Sequence, residues 1–166
     1  MRMRIAGAVV VFAALIATTA TAPAHADCGD PGQVPCTGPV PTVDQVAAIM
    51  AELTDPNKPT AEKSDIVTPG FTPEEAATAD DHLHRLSASG VLPLTFVITN
   101  IQPAPNNFAG ATMQTVGSFY QTSAVGTIAM VDQAGHWLLT QHSAKGWLNA
   151  IWHNATGGGP VVPWGH

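Results

Sequence analysis

GVLPLTFVITNI, residues Gly90–Ile101, is where the apolar pattern of this chain changes period. Before Gly90 the apolar residues recur every three to four positions, as on one face of a helix. After it they alternate, and Leu94–Ile101 is rich in β-branched and aromatic residues, the composition of a half-buried strand. A switch from period 3.6 to period 2 predicts helices first and a sheet afterwards. The fold class then follows from what lies on either side.

On the N-terminal side, Thr42 and Gln45 form a capping box ahead of Val43, Val46, Ala47, Met50 and Leu53, which recur at helical spacing. Pro56 and Pro59 end that helix. Thr60–Asp65 suits a short second helix, and TPGF a turn. Thr72 then caps a third helix, with Pro73 at its first position and Glu75 completing the box. Its apolar stripe is Ala76, Ala79, Leu83 and Leu86, and Gly90 stops it. On the C-terminal side, Ala109–Gly117 (AGATMQTVG), Val125–Val131 (VGTIAMV) and HWLLTQ from His136 read as three further strands. Pro103 and Pro105 end the strand before them, and DQAG turns the chain before His136. Ser143 is expected to cap a last helix, with Ala144, Trp147, Leu148 and Ile151 on its apolar stripe. The connections between strands are too short for parallel crossovers. The expectation is an α+β domain over residues 42–154: N-terminal helices packed on an antiparallel sheet of about four strands, closed by a C-terminal helix.

The ends of the chain speak to compartment. Arg2 and Arg4 precede an apolar run, Ile5–Ile16, and Ala24-His25-Ala26 is a small-x-small cleavage site. Residues 1–26 therefore read as a secretory signal peptide; the run is shorter than the ~20 apolar residues of a membrane span. No later stretch is long and apolar enough to cross a bilayer. Residues 27–41 (DCGDPGQVPCTGPVP) form a Pro/Gly-rich linker holding the only two cysteines, Cys28 and Cys36. An oxidising destination permits a disulfide between them. Residues 155–166 read as a loose Gly/Pro tail.

Charge excludes one class of partner. Beyond the leader only Lys58, Lys63, Arg85 and Lys145 stand against twelve acidic residues. Such a balance lacks the basic footprint that nucleic acid requires.

The chain also resembles a known family. LTDPNK after the first helix, GVLPLTFVITNIQP, and VDQAGHWLLT followed by a short helix are similar to the secreted low-molecular-weight antigens of mycobacteria and their relatives, over roughly Pro41–Asn154. The resemblance implies an exported antigen, outside the cell or in its envelope, and supplies no catalytic residue. By analogy of element order alone, it suggests a nuclear-transport-factor-2-like or cystatin-like arrangement, in which a curved sheet wraps helices.

Candidate chemistry is thin. His136 and His142, at opposite ends of a strand, lie too far apart to share a metal ion. His82 and His84 diverge by about 200° around a helix, and Asp81 with Arg85 is an ordinary i, i+4 pair. Ser143 beside His142 and Lys145 is better explained as a helix cap than as a nucleophile; no Gly-x-Ser-x-Gly elbow is present. Asn154-Ala155-Thr156 matches a glycosylation triplet by chance. Core roles suit the indoles of Trp137 and Trp147, and with Phe96 they are candidate pocket-lining residues. No catalytic, metal or cofactor residue is assigned. The expectation is a secreted, non-enzymatic protein that binds an unidentified small ligand or protein. Its alternative is an enzyme with a pocket between sheet and helices.

Overall fold

The computed structural model describes Cys28, residues 32–116 and residues 124–157. The expected leader, the end of the tail and Trp164 lie outside these. Helix α1 (Val43–Leu53) starts at the expected box: Thr42 Oγ1 accepts from the Gln45 amide at 3.2 Å, and Gln45 Oε1 accepts from the Thr42 amide at 2.8 Å. Its buried stripe is Val46, Ile49, Met50 and Leu53; Val43, in the first turn, is half exposed. A 3-10 turn follows at Thr60–Asp65.

Helix α2 (Pro73–Ala88) carries the second capping box and buries the four expected residues, Ala76, Ala79, Leu83 and Leu86. Gly90 adopts φ +75°, the left-handed conformation that suits glycine. The amides of Gly90 and Val91 then return to the carbonyls of Ser87 (3.0 Å) and Leu86 (2.9 Å), a Schellman ending sealed by Val91 against Leu86.

The sheet has five strands in the order β1-β5-β4-β3-β2: β1 (Val67–Thr68), β2 (Thr95–Ala104), β3 (Phe108–Val116), β4 (Val125–Gln133) and β5 (His136–Thr140). The last four form the expected antiparallel meander. The first is additional and pairs parallel to β5 through Val67 and Leu139. That pairing escapes the short-connection argument because α2 and three strands separate the two segments. It left no trace in the sequence because two residues carry no alternation.

Strand β2 also runs past its expected end. The register shifts between Thr99 and Gln102, Asn100 takes φ 53°, and Pro103 still pairs with Ala109. Proline persists here because β2 is the edge of the sheet, where a missing amide interrupts no ladder.

Inward residues Ile98, Ala111, Met113, Ile128, Met130 and Leu139 meet Val46, Met50, Leu53, Leu83 and Trp147 from the helices in one core. Helix α3 (Gln141–Ala155) closes it. Its N-cap is Thr140, whose hydroxyl accepts from the Ser143 amide at 3.2 Å. Ser143 is therefore inside the first turn and does not cap, and β5 ends one residue earlier than expected. The buried Ser143 Oγ instead accepts from the Ala129 amide of β4 at 2.9 Å, where β5 has run out. His142 lies in the helix too, so its spacing from His136 is not that of a single strand. The Cys28 and Cys36 sulfurs are at disulfide-bonding distance, with Cα atoms 5.0 Å apart.

Candidate functional site: the cleft between two parallel helices

Helices α2 and α3 run side by side in the same direction and are joined at two levels. At their N-terminal ends, Glu75 ties them together. Its Oε2 accepts from its own cap amide, Thr72 N, at 3.0 Å and from Gln141 Nε2 at 3.3 Å, while Oε1 pairs with Lys145. Gln141 also donates to the Gly70 carbonyl at 2.8 Å. The Lys145 ammonium and the capping contact to Thr72 hold the Glu75 carboxyl at about 2, well below the usual range. Seven residues along each helix, about 10 Å on, the His82 imidazole stacks on the Trp152 indole. Their centroids are 4.0 Å apart and the planes 2° from parallel. Burial lowers the imidazole pKa.

Between these two levels the helices part around a cleft of about 250 Å³. Phe71, Ala79 and Leu148 give it apolar walls; Glu74, Thr78, Asn149 and the two bridging levels give it a polar rim. The volume is just below the ~300–1,000 Å³ of drug-sized sites. Some of the polar groups are engaged. Thr78 donates to the Glu74 carbonyl at 3.0 Å, Lys145 and Glu75 are paired, and no serine or cysteine lines the space.

The residues singled out from sequence sit elsewhere. Trp147 is fully buried in the core, and Phe96 and Trp137 are partly buried against it; none of the three lines this cleft. Between sheet and helices, Val46, Met50, Met113 and Trp147 have zero exposure. Ser143 Oγ accepts from the Ala129 amide and Lys145 pairs with Glu75. The Asp81–Arg85 pair forms as expected, at 2.9 Å, while the Asp80 carboxylate accepts from the Thr60 amide and hydroxyl at 2.9 and 2.6 Å. Among the described residues, no three His, Cys, Asp or Glu side chains come together as a metal site. Sequence reading missed the cleft. Its signal was the equal seven-residue spacing of Glu75 to His82 and of Lys145 to Trp152, on two helices that the sequence alone does not bring together.

A second, wider cleft of about 500 Å³ lies at the C-terminal end of α1, lined among others by Glu52, Asp55, Asn57, Leu92 and Pro93. On its acidic side Lys58 bridges Glu52 and Asp65, which raises the lysine pKa.

Comparison with known proteins agrees with the resemblance read from the sequence. The family model described as the C-terminal domain of the low molecular weight antigen MTB12 matches residues 39–154. The MTB12 antigen of Mycobacterium tuberculosis (strain CDC 1551 / Oshkosh) is 36% identical over 121 residues, 73% of this chain and 70% of that protein. The homolog from Mycobacterium leprae (strain TN) is 31% identical over 111 residues, covering 67% and 66%.

Proposed function

Because the chain belongs to the low molecular weight antigen MTB12 family, we propose that it is an exported, non-enzymatic binding protein whose site is the cleft between α2 and α3. Export is supported by the signal-peptide pattern of residues 1–26, the antigen names of its relatives and the cysteine pair at bonding distance. The observation that carries the binding reading is the construction of the cleft. Two interhelical bridges two turns apart hold a space open above an apolar floor. Rigid apolar walls with a few fixed polar groups suit reversible capture of a small molecule. The enzyme alternative places its pocket between sheet and helices, where Val46, Met50, Met113 and Trp147 are fully buried.

The test is the native mass of protein recovered from its host's medium, compared with its denatured mass. The expected result is a small adduct in the native spectrum that is absent from a Thr78→Trp variant, whose indole fills the cleft. Equal native and denatured masses for the unaltered chain overturn the reading.

A further inference from the structure

Among the described residues, the helices pack on the inward face of the sheet, and none packs on its outer face. Alternation turns Ile98, Met113 and Ile128 inward and Val97, Val116 and Val125 outward, where these valines remain 44%, 49% and 51% exposed. They are neighbours. Gln114 pairs with Val97 on one side and Val125 on the other, and Val116 follows it on the same face. Three valines thus surround one glutamine. Further along the same face, Phe108 pairs with Val131 and Val131 with Leu138, and all three are half buried. The outward positions between are Thr99, Thr112, Thr127, Gly110 and Ala129. No aspartate, glutamate, lysine or arginine stands on this face of β2, β3 or β4, although the chain carries a net charge of −6.

From this arrangement we infer that the outer sheet face is the contact surface of a homodimer, two copies packing sheet to sheet about a two-fold axis near Gln114. The charge pattern selects the occupant. A basic partner is drawn to the acidic helical side, and an anionic surface is repelled everywhere. A second copy, as acidic as the first, approaches with least repulsion where both surfaces are neutral. Size is consistent with a weak dimer. Strands β2, β3, β4 and β5, of 10, 9, 9 and 5 residues, at ~4.8 Å between strands and ~3.3 Å per residue give roughly 500 Å² per copy. The two together, about 1,000 Å², fall in the range of weak, transient interfaces. A face of valine and threonine can pack against its own copy, as an isologous contact requires, and sheets pack face to face at about 10 Å. This inference is independent of the cleft and of any ligand in it.

The experiment is sedimentation equilibrium of the protein as its host releases it, from about 1 to several hundred micromolar, at low and high salt. The expected result is a concentration-dependent dimer that tightens as salt rises, because salt screens the repulsion between two acidic chains. Val125→Glu and Val97→Glu, on two different strands and both at exposed positions, each weaken it by roughly tenfold or more by placing like charges across the axis. Ala77→Glu, the same charge on the exposed side of α2, leaves it unchanged. Dilution of the unaltered chain shifts the methyl resonances of Val97, Val116 and Val125 together, a readout that depends on no variant folding. A monomer throughout the range overturns the inference. So does a dimer indifferent to both valine substitutions, or a monomer that instead binds phosphatidylcholine vesicles through Val125.

Discussion

The ammonium of Lys63 donates to the carbonyl oxygen of Leu53 at 2.8 Å, and a second bond reaches the carbonyl of Asp55 at 3.0 Å. Leu53 ends α1, so a buried lysine from the 3-10 turn satisfies carbonyls that the helix leaves without an internal donor. Lys63 has no solvent exposure. Burial is the main cause of its lowered pKa, about 8, and is partly offset by Asp80 and Asp55.

A pH dependence follows. The unfolded lysine titrates near 10.4. Between about 8 and that value the unfolded chain binds more protons, so stability rises with pH across the window, by on the order of 2–3 kcal/mol from this residue. Below pH 8 the penalty for burying the charge is fully present. Lys63→Met removes the dependence along with both carbonyl bonds. The variant is expected to be less stable than the unaltered protein at pH 10, with a deficit that shrinks toward pH 7. Urea titrations at both pH values measure this; a deficit that does not change with pH refutes it.

Glu75 predicts the opposite limb. Its folded pKa of about 2 lies below the usual carboxylate value. Its pairing with Lys145 therefore stabilises the fold above pH ~4.3 and is lost as pH falls toward 2. Glu75→Gln should have a lower melting temperature than the unaltered chain at pH 7, and the two should converge by pH 2–3. Parallel melting curves across that range would show that the carboxylate does not bind α2 to α3.

The contrast between these two groups shows what the sequence could reveal. Glu75 was legible as a capping residue because its bond to Thr72 is local. Its bond to Lys145 spans 70 residues and depends on α2 and α3 lying parallel, which periodicity does not encode. Lys63 was invisible because its partners are backbone carbonyls, which every residue possesses. The meander was legible because β2–β5 alternate over five or more residues each. Strand β1, with two residues, and the passage of β2 through Pro103 were not, since both depend on a strand's place in the sheet order. The same holds for the cap of α3, where Thr140 and Ser143 both suit the role and the register of β5 decides between them.

The β4–β5 hairpin offers a stabilising substitution. Gln133 pairs with His136, leaving a two-residue loop in which Ala134 takes φ 55° and Gly135 φ 88°. Both loop positions are left-handed, as in the type I′ turn that favours Asn-Gly. The left-handed conformation costs alanine roughly 1 kcal/mol, and asparagine tolerates it. Ala134→Asn should therefore stabilise the protein by about 0.5–1 kcal/mol and raise its melting temperature by a few degrees. An unchanged or lower melting temperature would mean that the turn relaxes around alanine.

Trp147 separates packing from hydrogen bonding in the core. Its side chain is fully buried, and its indole nitrogen has no hydrogen-bond partner among the described residues. A buried donor left unpaired costs about 1–3 kcal/mol, yet the ring fills the junction of α3 with the sheet. Trp147→Ala removes the ring and should cost ~3–5 kcal/mol. Trp147→Phe removes the unpaired N–H and leaves only a small cavity, worth about 1 kcal/mol, so the two effects oppose each other. The phenylalanine variant is expected within about 1 kcal/mol of the unaltered protein in denaturant unfolding. A loss approaching that of alanine would show that the indole N–H is bonded in solution, and the core would then owe part of its stability to that bond as well as to the volume of the ring.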